Sequence, residues 1–124
     1  MGRKVLVVDD DPVIRALLGD YVAKFGHNVE VQASGADCLQ SIAQSQPDII
    51  VLDLQMPDMS GAEVLAKLRA DPKTAHLPII MLSANENSSS VGSQEIHADR
   101  YMQKPFNMKE ILGAIEDTIL VRNQ

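Results

Sequence analysis

"DIIVLDLQMPDMSGAEVLAKLRA", residues 48–70, carries two hydrophobic periods in one short stretch. From Ile49 to Leu52 the residues are continuously apolar and mostly β-branched, the pattern of a strand covered on both faces. Asp53 ends that run. Ser60 then opens a helix, with Glu63 three residues on completing a capping box and Met59 and Val64 placed as a hydrophobic staple. A buried strand followed directly by an amphipathic helix is the repeating unit of a parallel sheet.

The same alternation extends in both directions. Upstream, "KVLVV" (residues 4–8) is a short strand, followed by Asp9, Asp10 and Asp11. A helix follows, with Asp11 as its N-cap, Pro12 in the first turn and Gly26 at its exit. Its apolar positions are Val13, Ile14, Leu17, Leu18, Tyr21, Val22 and Phe25, and the spacing predicts a core-facing stripe. "NVEVQ" alternates as a strand, and Ser34 starts a second helix that Pro47 stops. Downstream, "LPIIMLS" is another buried strand and "RYMQ" a short one. "NMKEILGAIEDTILVR" is a last helix, capped by Asn107 with Glu110 three residues on.

Repeated strand–helix pairs imply a doubly wound α/β fold, a parallel sheet with helices on both faces. In such sheets ligands sit beyond the carboxyl ends of the strands. That rule gathers Asp9 and Asp10 from the first strand, Asp53 from the third, Ser83 from the fourth and Lys104 from the fifth onto one rim.

Composition narrows the function. The chain has 124 residues, 45% hydrophobic and 23% charged, and suits one domain spanning residues 1–124 with its core over about 4–121. A net charge of −6 argues against direct nucleic-acid or anionic-membrane partners. No apolar run approaches the roughly 20 residues of a membrane span, and the N-terminus lacks a signal-peptide shape. One cysteine, Cys38, fits a reducing compartment, so a cytoplasmic setting is expected. His27, His76 and His97 show no ligand spacing and read as surface residues. The methionines read as packing residues rather than a cofactor box.

Three carboxylates on one rim need a counter-charge. Mg²⁺ fits: a small, hard cation content with one or two carboxylates, waters and a phosphate. Asp9 and Asp10 would hold it, and Asp53 would touch it while serving as a carboxylate nucleophile. Phosphoryl transfer mostly requires positioning and charge neutralisation, which Mg²⁺, Lys104 and the Ser83 hydroxyl supply. Asp11, next to Pro12, reads as a helix cap and not a ligand.

These motifs together resemble the receiver domain of two-component response regulators, the CheY-like family. The resemblance rests on the acids of "VLVVDDDP", the acceptor in "VLDLQMPDMSG", the hydroxyl in "PIIMLSA" and the Lys-Pro of "YMQKPF", and covers about Lys4 to Val121. It implies a flavodoxin-like five-stranded parallel sheet of order 2-1-3-4-5. It implies that Asp53 accepts a phosphoryl group from a sensor histidine kinase or phosphotransfer protein. Asp10 would be the main metal carboxylate, Asp9 its helper, and the backbone carbonyl of Gln55 a third ligand. Ser83 and Tyr101 would form the switch pair, with Lys104 the phosphate clamp, aimed over Asp53 by a cis Lys104–Pro105 bond. Phosphorylation would reshape the face built from the fourth helix, fifth strand and fifth helix for an effector or an output domain. The chain would catalyse only its own phosphorylation and dephosphorylation.

Two other readings compete. A Mg²⁺-dependent phosphohydrolase of the haloacid-dehalogenase type also uses a strand-end Asp, but it carries a second Asp two residues later, where this chain has Gln55. A receiver-like interaction module that never takes phosphate would lack the acceptor or the lysine, and both are present. The ending "VRNQ" suits a stand-alone receiver or one parted from its output domain, and "RADPKTAHLP" resembles receivers attached to larger signalling proteins. The stretch "NENSSSVGSQEIHADRY", residues 85–101, departs most from the family. Its serines and Gly92 are poor helix formers, it is about one residue short, and His97 replaces a glycine. The fourth helix is expected to be short, frayed or absent there in the unphosphorylated form, with strain at His97 if its φ is positive.

Overall fold

The computed structural model describes residues 2–83 and 97–122. Among these, five strands alternate with four helices: β1 (Lys4–Val8), α1 (Pro12–Lys24), β2 (Asn28–Gln32), α2 (Gly35–Gln44), β3 (Ile49–Asp53), α3 (Gly61–Ala70), β4 (Ile79–Ser83), β5 (Arg100–Gln103) and α4 (Met108–Arg122). All paired strands are parallel, in the order β2-β1-β3-β4-β5. This is the doubly wound sheet that the alternation and the resemblance imply. The fourth helix expected within residues 85–101 lies outside the described residues, apart from the stretch after Ile96.

Alternate strand residues feed two cores. On one face Leu6, Val8, Ile50, Leu52, Ile79 and Met81 meet Cys38 and Ile42 of α2 and Val64, Leu65 and Leu68 of α3. On the other, Val5, Val7, Ile49, Val51, Ile80 and Leu82 meet Leu18 and Val22 of α1 and Ile111, Ile115 and Ile119 of α4. Every residue of β3 and β4 is buried, which explains their unbroken apolar runs. Each such Val, Leu or Ile contributes about 1.5–3 kcal/mol on burial. A helix cap contributes about 1 kcal/mol. The two layers therefore hold the fold, and the caps set where its helices begin.

Those caps form as the sequence implies. Asp11 Oδ1 accepts from Val13 N–H (2.9 Å), Ser34 Oγ from Asp37 N–H (3.1 Å) and Ser60 Oγ from Glu63 N–H (3.2 Å). Asn107 and Glu110 bond reciprocally at the start of α4. Gly26 follows α1 with a φ of +94°.

Three readings need correction or refinement. The apolar stripe of α1 splits: Leu18 and Val22 are buried, whereas Val13, Leu17 and Phe25 are more than half exposed. Successive helical residues differ by about 100° in direction, so seven apolar positions span a wider arc than one sheet face can cover. Phe25 instead packs against Tyr21 with the rings tilted by 50° and their centroids 5.1 Å apart. His27 is not a free surface residue: its side chain is only 8% exposed. Its Nδ1 accepts from Arg3 N–H (3.1 Å), and Nε2 lies 3.2 Å from Glu116 Oε2. His97 carries no strained backbone, since no described non-glycine residue has a positive φ. Cys38 is fully buried, and burial first, then the Glu30 charge, pushes its thiol up to about 12. It is an inert packing residue.

"RADPKTAHLP" folds as a tied turn between α3 and β4. The Arg69 guanidinium donates to the carbonyls of Ala75 (2.9 Å), Leu77 (2.6 Å) and His97 (3.3 Å), and to Asp99 Oδ1 (2.9 Å). Asp99 Oδ1 also accepts from Ile79 N–H (2.9 Å). This arrangement seats the start of β5 beside β4, and so aims the strand that ends in Lys104.

Candidate functional site

Strand register builds the rim. Val8 is level with Leu52 across β1 and β3, so the residues that follow them, Asp9 and Asp53, are neighbours. Asp53 pairs with Leu82 across β3 and β4, and Ser83 pairs with Gln103 across β4 and β5. Lys104, next after Gln103, donates its backbone N–H to the Ser83 carbonyl at 2.7 Å. The Lys104–Pro105 peptide is cis.

The side chains converge accordingly. Carboxylate oxygens of Asp9, Asp10 and Asp53 lie within 4.8 Å of one another, with Asp9 and Asp53 buried and Asp10 exposed. Lys104 Nζ sits 3.0 Å from Asp9 Oδ2 and 3.5 Å from Asp53 Oδ1. Asp9 Oδ1 accepts from Asp11 N–H (2.9 Å), and Asp53 Oδ1 from Gln55 N–H (3.2 Å). Ser83 is fully buried at the end of β4. Tyr101 is half-buried against the α2–α3 core, and its hydroxyl accepts from Ala98 N–H at 3.2 Å.

Electrostatics follow from this crowding. Burial first, then the adjacent Asp9 charge, pushes the Asp53 carboxyl from 3.8 up to about 6, while the Gln55 N–H and Lys104 pull the other way. Burial alone would lower the Lys104 ammonium. The hydrogen bond to Asp9 and the charges of Asp53 and Asp9 outweigh it, leaving Lys104 above its ordinary value. Three acids against one ammonium leave the cluster short of positive charge. An all-oxygen donor set with that deficit, on an open rim, fits a hard divalent cation.

Two supporting residues escaped the sequence reading. Arg15, one turn into α1, donates to the Asp9 carbonyl at 2.8 Å and ties down the β1–α1 turn. Gly61 lies directly under the site: its N–H donates to the Leu54 carbonyl (2.8 Å), and a Cβ there would collide with the Asp53 carbonyl oxygen and lie 2.8 Å from Leu54 Cα. A glycine immediately after an N-cap serine was the available signal, since it leads α3 in without a cap role of its own.

The response regulator receiver domain model matches residues 5–116. The chain belongs to the response regulator receiver domain family. Among curated relatives, the transcriptional regulatory protein GltR of Pseudomonas aeruginosa is 36% identical over 116 residues, 93% of this chain and 48% of its own length. The transcriptional regulatory protein KdpE of Mycobacterium tuberculosis is 39% identical over 116 residues, 93% of this chain and 50% of its own length. This receiver domain thus spans about half the length of those relatives. Among solved structures, a putative response regulator from Chloroflexus aurantiacus superposes with a TM-score of 0.89 at 28% identity, covering 97% of this chain and 99% of that one. Receiver domains of response regulators are phosphorylation-dependent signalling switches of two-component systems, not conventional enzymes. No helix among the described residues is long and apolar enough to cross a membrane.

Proposed function

We propose that this receiver domain accepts a phosphoryl group on Asp53 and relays its presence to a partner through β5. The observation that carries the reading is the buried Asp53 carboxyl at a strand end, flanked by Asp9, Asp10 and Lys104. Burial and the Asp9 charge raise it to about 6. That value leaves Asp53 mostly ionised at neutral pH and able to attack. With a phosphohistidine donor, an Asp53 oxygen forms the new P–O bond as the P–N bond breaks, and the imidazole leaves with a proton. A sensor histidine kinase or phosphotransfer protein in the cytoplasm is the proposed donor.

Asp9, Asp10, Asp53 and the backbone carbonyl of Gln55 would hold Mg²⁺. When bound, it neutralises charge on the transferring phosphoryl group. Lys104 spans Asp9 and Asp53, which supports its pairing with a phosphoryl oxygen on Asp53. Phosphorylation adds charge and acceptor oxygens at one point. Ser83, on the next strand, would donate to one of them. Tyr101 would then give up its bond to Ala98 N–H and repack, shifting the population of two states. An effector or output domain would read the face that includes β5 and α4. The net charge of −6 supports placing any nucleic-acid contact of a longer protein outside this chain.

The test is amide NMR with a small phosphodonor and Mg²⁺. Amides of Ser83, Ala98, Tyr101 and Lys104 should shift together with that of Asp53. Shifts confined to residues 53–55, with Ala98 and Tyr101 unmoved, would contradict a relay through β5.

A further inference from the structure

The loop from Leu54 to Ser60 leads from Asp53 at the end of β3 into α3. Residues 55–59 belong to neither strand nor helix. The loop is fixed at its root, where Leu54 donates to Leu82 and accepts from Gly61, both at 2.8 Å. It is fixed at its exit by the Ser60 cap. Between these anchors, Asp58 reaches across to α2: Oδ1 accepts from Gly35 N–H (3.1 Å) and Oδ2 from Ala36 N–H (3.0 Å).

These are first-turn donors that have no partner within their own helix. Ser34 serves only the third, Asp37 N–H. Asp58 therefore takes the pair that the helix's own cap leaves open. The fit is close in a second way. A Cβ on Gly35 would lie 3.0 Å from Met59 Cβ and 3.0 Å from Val64 Cγ2, so a larger residue there would press Met59 and Val64 back by a few tenths of an ångström. Met59 also packs against the α2–α3 core.

We infer that Asp58 is a positioning residue of the phosphoacceptor site, clamping the loop to the first turn of α2 so that the Gln55 backbone is held beside Asp53. The inference rests on the reading that Gln55 offers its carbonyl to Mg²⁺ while its N–H holds Asp53 Oδ1. Loss of the clamp frees the loop between its root and its exit, and the ligand set is then no longer preorganised. The N–H groups of Ala36 and Gly35 hold the Asp58 carboxyl below its ordinary value, so the clamp stays charged through the neutral range.

A plain helix cap would stabilise α2 without touching the metal, and calorimetric titration with Mg²⁺ alone separates the two roles. Asp58→Ala should bind Mg²⁺ roughly tenfold more weakly than the wild type, the lower end for outer partners of metal ligands. Asp58→Asn, which keeps one acceptor oxygen, should fall between them. Ser34→Ala removes α2's own cap, lowers the melting temperature, and should leave Mg²⁺ affinity within twofold. Binding by Asp58→Ala within twofold of the wild type, or equal weakening by Ser34→Ala, would overturn the inference and leave the proposed function standing. A wild-type chain that binds no Mg²⁺ would overturn both.

Discussion

Asp53 sits where its charge is unwelcome without a cation, and this makes its site legible in stability as well as in chemistry. Its folded value of about 6 lies above the ordinary 3.8, so the fold favours the protonated form. The contribution is fully present below about pH 3.8 and is lost as pH rises through about 6. The loss amounts to on the order of 2–3 kcal/mol at most. Asp53→Asn keeps the shape and removes the charge, and Lys104 retains Asp9 as its partner. In chelator at pH 8 the variant should melt above the wild type, by about 5 °C or more, with the gap closing towards pH 4. A gap that stays constant from pH 4 to 8 would place its cause elsewhere. At this scale the gathering of the acids and the lysine on one rim was legible, because each ends or closely follows a strand of one parallel sheet. The sequence was a poor guide to Asp58 and His27. Their partners lie 22, 23, 24 and 89 residues away, and no local pattern announces them.

Elements were legible wherever one local rule sufficed. The helix starts follow from Asp11, Ser34, Ser60 and Asn107, and the buried strands from continuous apolar runs. Periodicity did not settle which half of a broad stripe meets the sheet. Leu17 and Leu18 are adjacent and chemically identical, yet one is 56% exposed and the other fully buried. Leu18→Ala should therefore cost about 2–5 kcal/mol, the range for a buried leucine, and Leu17→Ala no more than about 0.5 kcal/mol. Urea unfolding measures both. Equal costs would mean that α1 is rotated from the orientation described.

For the whole molecule, alternation alone supports a parallel sheet with two covered faces, and the two cores divide as that implies. Strand order came from resemblance rather than pattern, because no residue period encodes which strands are neighbours. The sheet order then does the chemical work: β1, β3, β4 and β5 end side by side, and residues as distant in sequence as Asp9 and Lys104 meet at 3.0 Å.

We propose that Asp53 is the phosphoryl acceptor and that the acid cluster must hold Mg²⁺ for it to react. Intact-mass spectrometry after incubation with acetyl phosphate tests both parts at once. The wild type should gain the mass of one phosphoryl group with Mg²⁺ and little with chelator, and Asp53→Asn should gain none in either condition. A full gain in chelator, or any stoichiometric gain by Asp53→Asn, would contradict the account.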